Sequence, residues 1–216
     1  MKTRLIFVRH GEATGNVQRR FHGDYDSALT ENGMRQAELA ACELDRFPID
    51  RIIASDLTRT FETARAIARR RNLEVTTDSK LREINGGEWE DVPWDDLPEK
   101  FPESYEHWLH RMDLLQMPGG ESAEGFQQRV ITAVEKIEDT NAGKSLCIVT
   151  HGTVIKVLLC HFKGIGLDKF CDQPWQDNAS ITLVEKEDGI YRVLLKGFAE
   201  HLGEYSTMAK QDWWKK

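Results

Sequence analysis

The chain has 216 residues, within the range of one large globular domain, and 40% are hydrophobic with six tryptophans, enough for a sizeable core. Its 29 basic and 36 acidic residues leave a formal net charge of −7, which argues against a nucleic-acid partner, since that needs a basic face to neutralise phosphates. A small basic pocket on an acidic body stays compatible with that balance.

The opening Met1-Lys2-Thr3-Arg4 leads into an apolar run too short for a signal-peptide core or a membrane span, and no other stretch approaches spanning length. Cys42, Cys147, Cys160 and Cys171 lack CxxC spacing and read as reduced thiols, so a cytoplasmic protein with no membrane partner is expected. Asn178-Ala179-Ser180 matches a glycosylation sequon, which carries little weight without a secretion signal.

In chain order, Leu5–Val8 is a continuous apolar run of the kind a strand buried on both faces shows. A polar, glycine-bearing loop is expected from His10 to Ala28. Thr30, Gly33 and the pattern Met34, Ala37, Leu39–Ala41, Leu44 predict an amphipathic helix ending near Phe47-Pro48. Arg51–Ala54 reads as a second strand, about Leu57–Arg71 as a helix and Leu73–Thr77 as a third strand. From about residue 84 to 118 the chain turns rich in Trp, Pro, Glu and Asp, with a short helical stretch at Ser104–Met112, and is read as an excursion over the sheet edge. Helix Glu121–Asp139, strand Ser145–Thr150 and helix Val154–Phe162 follow. Ile181–Glu185 and Tyr191–Leu195 close the chain as a hairpin. Strands alternating with helices imply an α/β domain over 1–216: a three-layer α/β/α sandwich, its sheet mostly parallel with antiparallel edge additions.

Two strands end alike. Leu5–Val8 runs into Arg9-His10-Gly11, and Leu146–Val149 into Thr150-His151-Gly152. Ligands of open α/β sheets bind outside the carboxyl ends of the strands, so both histidines fall where a site is expected. The glycine after each lets the backbone turn tightly against a ligand.

Arg9-His10-Gly11-Glu12 with Asn16, Arg20-Phe21-His22-Gly23, Leu29–Gly33 with Gln36-Ala37, and Ser55–Thr60 with Thr63-Ala64 together resemble the histidine phosphatase (phosphoglycerate mutase-like) superfamily. The likeness continues through Leu81-Arg82-Glu83 with Gly87 and Trp89-Glu90, Pro118–Ser122, Thr150-His151-Gly152 and Asn178-Ala179-Ser180, and so covers nearly the whole chain in order. The resemblance implies the phosphoglycerate mutase-like fold and makes His10 the nucleophile of a phosphohistidine intermediate. A neutral imidazole is the nucleophilic form, and neighbouring cations disfavour its protonation. Arg9 and Arg59 would be those cations, their planar forks matching phosphate oxygens. His151 would donate to a non-bridging oxygen, Glu83 would act as general acid and then base, and Asn16, His22, Gly23 and Gly152 are further phosphate- or substrate-binding candidates.

Glu83 is followed by Ile84-Asn85-Gly86-Gly87 and a modest insert, whereas mutases of the superfamily carry an Arg there and a longer insertion, so the chain resembles the small phosphatase branch. Ala13, His22 and Asp91 depart from the Ser/Thr, Gln and Gly usual there. A phosphomonoester hydrolase acting on a small phosphorylated metabolite is expected, with a mutase-type phosphotransferase or a non-catalytic phosphate-binding module as alternatives. No metal site is expected from His107 and His110, and Gly164-Ile165-Gly166, which follows a helix, is no dinucleotide fingerprint, so no cofactor is expected. Trp89, Trp94, Tyr105 and Trp108 are candidates for an aromatic lid over the pocket or for packing of the excursion. Trp213-Trp214 are expected to pack. No dimerisation signal is visible, and the sequence leaves the oligomeric state open.

Overall fold

A computed structural model of the chain describes residues 1–210; Trp213 and Trp214 lie outside the described residues. Six strands form one sheet in the order β3-β2-β4-β1-β5-β6. They are β1 Lys2–Arg9, β2 Arg51–Ala54, β3 Val75–Thr77, β4 Ser145–Thr150, β5 Ile181–Glu187 and β6 Ile190–Phe198. β1 to β4 run parallel; β5 is antiparallel to β1, and β6 to β5. The β5–β6 turn places Asp188 and Gly189 at φ of 52° and 79°, the left-handed pair that matches the twist of a tight hairpin.

Alternation along β1 divides the core. Leu5 and Phe7 pack with β4 residues Leu146 and Ile148 against helices α6 Ala123–Asp139 and α7 Gly152–Phe162. Ile6 and Val8 face the other way, with Cys147 and Val149, onto α2 Glu31–Glu43 and α3 Thr58–Arg71. A period of two with both faces covered gives the expected three layers.

Two expectations change. The polar stretch after His10 contains a short helix, α1 Thr14–Gln18, too short to show an apolar period. The excursion, with α4 Leu97–Lys100 and α5 Pro102–His110, does not merely skirt an edge: Trp89, Leu97, Trp108 and Met112 join the same core as β1, β4, α6 and α7. Phe21 sits at its centre, 5.4 Å from Trp89 and from Trp94 and 5.5 Å from Trp108 between ring centres. After β6, α8 Thr207–Lys210 returns beneath the loop after β1, where Thr207 Oγ1 donates to Glu12 and accepts from Gln36.

Candidate active site

Parallel pairing sets Arg9 opposite Thr150, so His10 and His151 leave neighbouring strands at the same level, with ring centres 5.3 Å apart. His10 N–H donates to the Thr150 carbonyl at 2.9 Å, and Asn178 Nδ2 donates to the His10 carbonyl at 3.1 Å. Behind the loop, a Cβ on Gly11 would meet the Gly33 carbonyl at 2.4 Å, and one on Gly33 the Glu12 carbonyl at 2.0 Å. Two backbones therefore press together there, and only glycine permits it.

His10 Nδ1 lies 2.7 Å from the Gly11 carbonyl. A carbonyl only accepts, so Nδ1 carries the hydrogen and Nε2 keeps its lone pair. Burial, then Arg59 and Arg9, hold this imidazole well below the ordinary histidine range. His151, fully buried, is held down in the same way by burial and then Arg59. Its Nε2 is 3.0 Å from Ser55 Oγ, while Nδ1 is buried without a partner.

Arg59 follows Thr58 in the first turn of α3, yet it is 1% exposed rather than solvated. Its guanidinium donates to the carbonyls of Tyr25 at 2.8 Å and Gly23 at 2.7 Å, and burial pulls it down to about 10. Arg9 donates to the Gln176 carbonyl, while its Nε is buried without a partner. Glu83 is also buried: Oε1 accepts from Ile84 N–H and Oε2 from Thr153 N–H, each at 3.0 Å, but burial outweighs both and raises its carboxyl. Arg129 braces this segment by donating to the carbonyls of Arg82 and Glu83, each at 3.1 Å.

A cavity of about 710 Å³ has Arg9, His10, Asn16, His22, Arg59, Glu83 and Gly152 in its wall; His151, fully buried, is not on that wall but lies against the His10 ring. Two cations, a neutral nucleophilic imidazole and a carboxyl held towards its acid form sit together in a largely buried site.

Such a combination is suited to phosphoryl transfer through histidine, and the match to known proteins follows it. The sequence profile of the histidine phosphatase superfamily (branch 1) covers residues 5–198. The chain belongs to this superfamily. Phosphoserine phosphatase 1 of Hydrogenobacter thermophilus is 33% identical over 209 residues, 95% of this chain and 97% of that protein. A probable phosphoglycerate mutase GpmB of Yersinia pestis is 36% identical over 161 residues, 74% of this chain and 75% of its own length. YhfR of Bacillus stearothermophilus superposes with a TM-score of 0.89 at 34% identity, covering 93% of this chain and 99% of that one. Mycobacterial glucosyl-3-phosphoglycerate phosphatase follows at a TM-score of 0.83 and 26% identity, covering 92% and 100%. Three of these relatives are named as phosphatases or a phosphoglycerate mutase, and this histidine phosphatase is likewise an enzyme.

Within this histidine phosphatase some expected residues take other positions. Gly23 is not on the cavity wall: its N–H donates to Glu90 at 3.0 Å and its carbonyl receives Arg59. Its carbonyl positions Arg59. His22 does line the cavity, with Nε2 3.2 Å from Asp91 Oδ1 and Nδ1 buried without a partner. Asp91 adopts φ of 59°, which explains why glycine is usual there and shows what the replacement adds, a carboxylate beside His22 and Arg20. Of the four aromatic candidates, Trp94, Tyr105 and Trp108 line the cavity, and Trp89, fully buried, packs the excursion.

Glu90 is a residue whose role sequence reasoning left unassigned. Its carboxylate accepts the N–H groups of Gly23, Asp24, Tyr25 and Gly86 at 2.8 to 3.0 Å, gathering the loop whose carbonyls hold Arg59. Lys156 also lines the cavity; a lone cation within the otherwise apolar run Val154–Leu159 was the available signal.

Proposed function

We propose that this enzyme is a phosphomonoester phosphatase in which His10 takes the phosphoryl group. The observation that carries the reading is the fixed tautomer of His10, whose free Nε2 shares one cavity with Arg9, Arg59 and Glu83. Nε2 attacks phosphorus as the P–O bond to the leaving group breaks, and protonated Glu83 delivers its proton to the departing oxygen. Glu83, now a carboxylate, then takes a proton from water as the water oxygen attacks the phosphohistidine, releasing inorganic phosphate and restoring both residues. Arg9, Arg59, Asn16 Nδ2 and the partnerless His151 Nδ1 are the donors for the non-bridging oxygens, where charge concentrates in the transition state.

The phosphatase reading is favoured over the mutase one by Ile84. It stands immediately after Glu83, where the mutases of the superfamily carry an arginine, and its side chain is fully buried in the core. The relatives named phosphoserine phosphatase, phosphoglycerate mutase and glucosyl-3-phosphoglycerate phosphatase point to a small phosphorylated metabolite as the substrate. The free cysteines, two of them buried, support a reducing cytoplasmic setting.

The test is hydrolysis of p-nitrophenyl phosphate in EDTA by wild type and His10→Ala. Turnover that survives EDTA and disappears in the variant is expected. Activity persisting in His10→Ala would overturn the mechanism, and a wild type active only with a bisphosphoglycerate primer would favour the mutase.

A further inference from the structure

Helix α7 is apolar around one position: Val154, Ile155, Val157, Leu158 and Leu159 are all buried. Lys156 stands among them at 3% exposure. A lysine so enclosed is normally paired with a carboxylate. Here its ammonium lies 4.1 Å from the ring centres of both Phe170 and Trp175, and among the described residues no carboxylate forms an ion pair or hydrogen bond with it. The titratable groups acting on it most are the thiols of Cys171 and Cys160, which favour its charged form, and the Lys196 ammonium, which opposes it. Burial lowers it to about 8, which still leaves it mostly charged at neutral pH. The aromatic faces stabilise the cation but offer no oxygen to its N–H groups.

The position of this unanswered charge is specific. Lys156 lines the same cavity as Glu83, Gly152 and Thr153. Thr153, whose N–H holds Glu83, precedes it by three residues, so both lie on one face of α7 with a rise of about 4.5 Å between them. A leaving group protonated by Glu83 and extending along α7 would run towards Lys156, on the wall of the same cavity.

We propose that Lys156 receives a carboxylate carried by the leaving group, making phosphomonoesters of small hydroxy acids and hydroxy-amino acids the preferred substrates. The inference rests on the phosphatase reading of the same cavity. A monoanion fits better than a second phosphate dianion, because one ammonium set in aromatic rings matches one charge. Two other cations of the cavity wall, Arg19 and Arg20, are already engaged by Asp95 and Asp91.

O-phospho-L-serine and O-phosphoethanolamine differ by the carboxylate alone, so their kcat/KM ratio reads the contact. Wild type is expected to prefer phosphoserine by on the order of tenfold to a hundredfold, the scale of a hydrogen-bonded charge pair. In Lys156→Gln the ratio should fall towards one, chiefly through KM. Circular dichroism and a thermal midpoint check that the variant folds; if it does not, the wild-type ratio decides alone. Equal kcat/KM for the two esters in wild type, an undiminished ratio in folded Lys156→Gln, or a preference for fructose 1,6-bisphosphate over phosphoserine would overturn the proposal. Calorimetric binding of the same two esters to His10→Ala reads the preference without turnover. It separates failure of the Lys156 contact from failure of the phosphatase reading, which p-nitrophenyl phosphate tests by itself.

Discussion

His10 and Glu83 are displaced in opposite directions by the same cause, and the consequences for rate differ in sign. Burial and two guanidiniums keep His10 neutral to well below the ordinary histidine range, so the nucleophile is not lost until the medium is distinctly acidic. Burial raises Glu83, so its acid form persists to higher pH than that of an exposed glutamate and is lost as pH rises through the raised value. kcat/KM for p-nitrophenyl phosphate should therefore be greatest on the acid side of neutrality and decline towards alkali. Glu83→Gln should be slower by on the order of a hundredfold to ten-thousandfold and should lack the alkaline decline attributable to Glu83; a decline unchanged in Glu83→Gln would reassign the acid. The two histidines were legible because each ends an apolar strand with glycine behind it. Lys156 is legible only in hindsight, since an isolated lysine in an apolar helix looks the same whether it snorkels to solvent or is enclosed.

Among the elements, the loop between α1 and α2 shows how a cation is aimed by backbone rather than by another charge. Arg59 is held by carbonyls of that loop, and the loop is gathered by Glu90 from the far side. Glu90→Gln replaces one acceptor oxygen with a donor that faces N–H groups. It should cost about 2 kcal/mol of stability, read as a lowered thermal midpoint, and should raise KM for p-nitrophenyl phosphate several-fold as Arg59 loosens. A lowered midpoint with unchanged kinetics would make Glu90 purely structural. The regular elements were well marked in sequence: β2 and β4 begin and end at the residues their apolar runs indicate. β1 extends further, through charged Lys2 and Arg4, because both pair with Glu185 on the neighbouring β5, a partner no local pattern reveals. The excursion was opaque for a related reason. Trp89 and Trp94 sit in similar polar, proline-bearing sequence and both pack on Phe21, yet one is fully buried and the other lines the cavity.

For the whole molecule, the buried histidines couple the site to the stability of the fold. Their folded values lie below the ordinary value, so as pH falls under about 6.5 the unfolded chain binds protons that the folded one excludes, and stability declines. Glu83, raised, acts in the opposite sense between about 4.5 and its folded value, one carboxyl against the imidazoles of His10, His151 and the partly buried His201. The thermal midpoint should fall as pH is lowered from 7 to 5.5, less steeply in His10→Gln, and a flat profile would contradict the burial of neutral imidazoles.

The strand order brings together residues that are far apart in the chain. Asn178 grips the His10 carbonyl across 168 positions of sequence, and the two imidazoles meet only once β4 has slotted between β1 and β2. During synthesis the amino-terminal half, however well formed its helices, therefore holds the nucleophile without His151 and Asn178. Long-range parallel pairing of this kind is slow to close, so hydrolysis should be among the last properties a refolding sample regains, and its return marks completion of the sheet.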